Sequence, residues 1–95
     1  MNIVILDRKT LGLDIDMSIF DTLGSVKSYD TTKPNETIQR LQDADIVVTN
    51  KVVISKEVME NVNLKLICIS ATGMNNVDLE YAKQKNKYLI FIILK

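Results

Sequence analysis

Apolar and polar positions alternate in blocks along the chain. Asn2–Leu6 (NIVIL) is a continuous apolar run closed by Asp7, and Asp45–Asn50 (DIVVTN), Leu64–Ala71 (LKLICISA) and Lys87–Leu94 (KYLIFIIL) repeat the theme. Short runs rich in β-branched residues, without alternation, suit strands buried on both faces. Ser25–Asp30 (SVKSYD) alternates instead, as a half-buried or edge strand would. Helix-like segments separate the runs. Asp16–Gly24 puts Met17, Phe20 and Leu23 at helical spacing and stops at a glycine. Thr31–Ala44 carries Pro34 in its first turn and Ile38, Leu41 and Ala44 on one face. Ser55 is placed to cap a helix over Lys56–Val62, with Glu57 near its positive end. In Asn76–Asn86, Asn76 is the expected N-cap and Asp78 falls in the first turn.

Strand and helix in alternation predict an α/β fold with a parallel sheet and helices on both faces. The continuous runs demand central positions and the alternating one an edge. Strand order 2-1-3-4-5 satisfies both, giving a flavodoxin-like, three-layer αβα domain with five parallel strands. Ninety-five residues without repeat, linker or low-complexity tract make one domain, 1–95.

In open α/β sheets ligands gather outside the carboxyl ends of the strands, where the strand order reverses. That rule puts Asp7–Thr10, Thr49–Val52 and Thr72–Asn76 on one rim. Lys51 beside Asn50 reads either as a carboxylate partner or as a solvated loop lysine. Arg8 at the switch point reads either as a bidentate carboxylate ligand or as a loop charge paired with a neighbour. Asn75 and Asn76 are explained by turn geometry and capping alone. Arg40 falls on the outer face of its helix and is expected at the surface.

Composition removes several chemistries. There is no histidine, and one cysteine assembles neither a structural zinc site nor a Cys–His pair. Gly12, Gly24 and Gly73 are too scattered for G-x-G-x-x-G or a P-loop. A phosphoacceptor site needs a carboxylate after the third strand, which ends Val48-Thr49-Asn50. No catalytic, cofactor-binding or metal residue is therefore expected. Twelve basic residues balance twelve acidic ones, so nothing points to nucleic acid or an anionic membrane. Cys68, inside an apolar run, reads as a small hydrophobe, and the chain can make no internal disulfide. The first apolar run is too short for a signal peptide, and Tyr88–Leu94 is far short of the roughly 20 residues of a membrane span. A cytoplasmic protein is expected.

Asn63–Asn86 (NLKLICISATGMNNVDLEYAKQKN) resembles the N-terminal domain of the NAD-dependent D-2-hydroxyacid dehydrogenases, where N-L-K-x-I precedes a glycine turn and then D/N-N-V/I-D-L. Asp43–Val62 (DADIVVTNKVVISKEVMENV) is similar to the family's third strand, substrate loop and following helix. Similarity runs from Met1 to about Lys85. The resemblance implies a substrate domain that closes over a separate NAD-holding Rossmann domain. It implies that Asn50, Lys51 and Val52 offer backbone amides to the substrate carboxylate, and that Thr72, Gly73 and Asn76 form a cleft turn. The family's nucleotide fingerprint and its arginine, glutamate and histidine match nothing in these 95 residues. Residues 86–95 diverge, and the expectation is a truncation with an altered reading frame after Lys85.

The resulting expectation is a substrate domain of a D-2-hydroxyacid dehydrogenase, inactive alone, binding no NAD by itself, with a small 2-hydroxy or 2-oxo acid as the family's ligand. Two alternatives stand beside it. One is an interaction module that self-associates through Tyr88–Leu94. The other is a weak binder of carboxylate metabolites.

Overall fold

The computed structural model of the chain describes residues 1–11, 18–70, 77–85 and 89–93. Five strands, β1 (Asn2–Ile5), β2 (Ser25–Ser28), β3 (Ile46–Thr49), β4 (Leu66–Ser70) and β5 (Leu89–Ile93), form one parallel sheet in the order 2-1-3-4-5. The expected topology is the observed one. Val4 pairs with Val47 and Val47 with Ile67, while one residue earlier Ile3 pairs with Ile46 and Ile46 with Leu66. Successive side chains point to opposite faces, so these rungs feed two separate cores. Val4, Leu6, Val47, Ile67 and Ile69 enter the larger core, and Ile3, Ile5, Ile46, Val48 and Cys68 form the smaller one.

The handedness of parallel crossovers decides which elements cover each face. From β1 to β2 the chain steps one way, and from β2 onward every step runs the other way. Right-handed connections then send helices α2 (Pro34–Arg40), α3 (Lys56–Asn61) and α4 (Leu79–Lys85) to the same face. Leu41, Met59, Tyr81 and Ala82 accordingly pack in the larger core. The β1–β2 connection serves the other face, where Phe20 of a 3-10 helix (Ser18–Thr22) packs on the smaller core.

That 3-10 helix stands in the segment expected as an α-helix over Asp16–Gly24, of which residues 16 and 17 lie outside the described ones. Apolar positions at 17, 20 and 23 are spaced by three, which fits a three-residue period as well as a 3.6-residue one. Leu23 donates its N–H to the Phe20 carbonyl at 3.1 Å, the short-range bond of the tighter helix. Gly24 is needed for close approach: Ser25 N–H donates to the Met1 carbonyl at 2.9 Å, and a Cβ built on Gly24 would overlap that oxygen. A single helical turn, α1 (Arg8–Leu11), stands where only a loop was expected. It is closed by Thr10 N–H on the Asp7 carbonyl at 3.0 Å.

The later helices begin by identifiable contacts. Pro34 opens α2, and Glu36 folds back to accept the Lys33 N–H at 2.9 Å. Ser55 caps α3 by accepting the Val58 N–H at 3.3 Å. Asp78, expected inside the first turn of α4, is its cap and accepts the Tyr81 N–H at 3.0 Å. Asn76, the expected cap, lies outside the described residues.

Two ionisable groups report on packing. The Asp45 carboxyl is held below its usual range by the Asn2 N–H at 2.8 Å and, secondarily, by Lys65. Burial pushes the Cys68 thiol up to about 11. At pH 8 the native protein is expected to leave Cys68 unlabelled by a disulfide reagent and to react once unfolded in urea. Rapid labelling under native conditions would mean the smaller core opens freely.

Candidate functional site

Between β2 and β3 lies β1, whose connection leaves by the opposite face. No crossover therefore fills the space above the carboxyl end of β1, between the entrances to α2 and α3. A crevice of about 430 Å³ opens there, with Asp7, Thr10, Thr32, Thr37, Lys51 and Ser55 among its walls. A larger groove of about 730 Å³ runs along β2 and α2, from Asn2 and Ser25 to Val4 and Tyr29, but neither Leu6 nor Asp7 at the carboxyl end of β1 lines it. Strand order and polar groups favour the smaller space.

Asp7 is the keystone. It is 3% exposed, and its carboxylate accepts the Asn50 N–H at 2.9 Å, the Lys51 N–H at 2.5 Å and the Thr10 hydroxyl at 3.1 Å. The Asn50 amide group donates to the Thr10 carbonyl and hydroxyl at 3.0 and 3.1 Å. Thr49 donates its hydroxyl to the Val52 carbonyl at 3.1 Å, which tightens the same turn. Buried polar groups must be partnered, and here the partners come from the segments that follow β1 and β3. The network pins the β3–α3 loop to the end of β1.

The opposite wall is pinned as firmly. Thr32 donates to the Leu6 carbonyl at 2.6 Å, closing the strand end from the β2–α2 loop. Arg40, expected as a surface charge, is largely covered: it bonds the Thr31 carbonyl and the Thr32 hydroxyl at 2.8 Å each. Its guanidinium also pairs with Glu36 at 3.0 Å and lies 3.9 Å over the Tyr29 ring. A charge with four partners holds a loop far better than an isolated surface pair does.

Of the residues singled out from sequence, Lys51 and Val52 line the crevice, while Asn50 is buried behind it, bonded to Asp7 and Thr10. The backbone amides of Asn50 and Lys51 are engaged by Asp7, while the Lys51 residue is exposed. Thr72, Gly73 and Asn76 lie outside the described residues. Val77, which follows them, bridges to Ile54, and Asp78 N–H donates to the Ile54 carbonyl at 3.0 Å. The hydroxyls of Thr32, Thr37 and Ser55 were not foreseen as a group. Their common signal is position: each stands within three residues of the first residue of α2 or α3. Among the described residues no three histidine, cysteine, aspartate or glutamate side chains gather into a metal site. Among them, too, no helix is long and apolar enough to cross a membrane.

Comparison with known proteins gives a consistent result. Residues 3–89 match the model of the D-isomer specific 2-hydroxyacid dehydrogenase catalytic domain. A hydroxypyruvate reductase of Blautia hydrogenotrophica is 41% identical over 90 residues, covering 90% of this chain and 28% of that protein. A glycerate dehydrogenase of Methylorubrum extorquens is 37% identical over 83 residues, covering 85% of this chain and 26% of that protein. The chain thus spans about a quarter of the length of these curated relatives. An acyclic imino acid reductase, solved with NADPH and D-arginine, superposes with a TM-score of 0.75 at 21% identity, over 97% of this chain and 30% of that one. At that identity the likeness establishes the fold alone.

Proposed function

Because the chain belongs to the D-isomer specific 2-hydroxyacid dehydrogenase family, matched through its catalytic domain, we propose that it forms the substrate side of such an enzyme and turns nothing over alone. The observation that carries this reading is the crevice at the strand ends, walled by the β3–α3 loop and bearing the Lys51 side chain at its rim. The relatives named for hydroxypyruvate and glycerate suggest a three-carbon hydroxy or oxo acid. In this reading the Lys51 ammonium attracts the ligand carboxylate, Val52 lines its path and Asn50 shapes the turn. The Thr10 and Thr32 hydroxyls are committed to Asp7 and the Leu6 carbonyl, whereas the Ser55 hydroxyl, an acceptor from Val58, has its proton to offer the ligand's oxygens. Thr72, Gly73 and Asn76 are assigned to the neighbouring cleft wall on the family resemblance. A cytoplasmic setting suits a chain whose one cysteine is buried and free.

The family's nicotinamide cofactor finds no seat among the described residues. Its pyrophosphate needs a glycine turn with open backbone amides after a first strand. Here β1 ends in a buried aspartate, whose carboxylate would repel phosphate. The described residues do not fit the cofactor.

An open crevice leaves most of a small ligand in water, so millimolar affinity is expected. The test is a titration of the ¹⁵N-labelled chain with hydroxypyruvate or D-glycerate. Shifts should concentrate at residues 50–55 and 31–34, and Lys51→Ala should weaken binding several-fold, more at low salt than at high. No shifts at tens of millimolar, or shifts only at the strand starts, would refute the reading.

A second reading rests on β5. It is the outer strand of the sheet, and Leu89–Ile93 contains neither charge nor proline to block an added strand. Self-association through Tyr88–Leu94 predicts a dimer by light scattering at high concentration, and a monomer for Phe91→Lys. A monomeric wild type at the same concentration removes this reading.

A further inference from the structure

Asp7 takes the Asn50 N–H on Oδ1 at 2.9 Å and on Oδ2 at 3.2 Å, and the Lys51 N–H on Oδ2 at 2.5 Å. Two successive amides of one turn thus converge on a single carboxylate. That is the arrangement by which backbone loops receive a free oxyanion. The occupant here belongs to the chain itself, 43 residues before Asn50. The rest of the seat is built as well: the Thr10 hydroxyl completes it, and the Asn50 side chain ties the turn to α1.

We infer that Asp7 is a positioning residue of the crevice, an internal carboxylate that holds the Asn50–Lys51 turn in its anion-receiving form and removes both amides from substrate contact. The inference rests on the reading of this crevice as the substrate side. Its consequence is a division of labour: the incoming carboxylate meets the Lys51 ammonium, while the amides beneath serve the fold. An external acid that displaced Asp7 would strand a carboxylate at 3% exposure, which makes exchange unfavourable. Removing the Asp7 carboxylate should instead open a seat of carboxylate shape that the native protein keeps filled.

The test compares wild type, Asp7→Ala and Asp7→Asn in thermal melts with sodium formate or sodium chloride at equal ionic strength, together with ¹H–¹⁵N spectra. Asp7→Ala should melt lower, and formate, unlike chloride, should restore it saturably. At about ten times the formate dissociation constant the folded-to-unfolded ratio should rise about tenfold. The Asn50 and Lys51 amide signals should move back toward their wild-type positions. Asp7→Asn should also melt lower but ignore formate, because its side chain still fills the seat. Formate and chloride acting alike on Asp7→Ala would overturn the inference. If Asp7→Ala does not fold even in formate, hydrogen exchange of wild type decides: strong protection of both amides supports the latch, and rapid exchange overturns it. Formate rescue without any hydroxypyruvate shift in wild type would leave the latch standing and sink the substrate reading. Hydroxypyruvate shifts at residues 50–55 without formate rescue would do the reverse.

Discussion

Ile67→Ala is expected to lower the stability of the chain by about 2–5 kcal/mol, the range found for truncating a large aliphatic side chain in a packed core. Ile67 is fully buried. It sits in β4 with Val47 and Ile90 as its register partners, and it belongs to the larger core with Leu41, Met59 and Tyr81. Three helices close over this face, so no single neighbour can collapse into the vacated space. A domain of this size has roughly 5–14 kcal/mol to lose, and each kcal/mol moves the melting temperature by about 4–8 °C. A fall of roughly 8–40 °C should follow, with the urea midpoint shifted and the slope unchanged. Val53→Ala, at a residue 57% exposed, should stay within about 0.5 kcal/mol. If Ile67→Ala cost less than about 1 kcal/mol, the face under α2–α4 would not be the principal core.

Strand order could be read from sequence because burial on both faces leaves a local mark. Ile3–Leu6 and Ile46–Val48 carry no polar interruption, and only a central strand tolerates that. Val26 and Lys27 alternate in the strand that ends at the edge. What sequence could not give is the pairing of polar groups across strands. Asp7 was legible as a rim residue, but its partners at 50 and 51 depend on the β1–β3 register, which brings Ile5 beside Val48. Asn50 and Lys51 therefore looked like open loop amides, although both serve an internal carboxylate.

Arg40 failed for a related reason. Helical periodicity places it away from Ile38 and Leu41, and periodicity alone marks such a residue as solvated. Its partners Thr31, Thr32 and Tyr29 arrive from the loop before α2, which the helix pattern does not describe. The 3-10 helix shows the limit of spacing arguments when three apolar residues fit two periods equally well. For Asp7 and Arg40 the missing information was the path of a loop, and for Ser18–Thr22 it was the type of the helix.

The purified chain, mixed with NADH and hydroxypyruvate, is expected to oxidise no nicotinamide beyond the rate without protein. Fixing a hydride donor against a carbonyl supplies roughly 7–11 kcal/mol of the barrier, and that fixing requires a seat for the dinucleotide. Gly12, Gly24 and Gly73 cannot form one at their spacing, and Asp7 occupies the turn after β1. Proton transfer meets a second obstacle. A general acid works best with a pKa near the operating pH, the chain has no histidine, and Cys68 is buried with its thiol pushed up to about 11. Loss of either contribution alone costs orders of magnitude in rate, and together they put turnover below detection. Absorbance at 340 nm over hours, at high protein concentration, checks this. NADH loss that scales with the chain and disappears in Lys51→Ala would assign to it a catalytic apparatus that the geometry of the described residues does not contain.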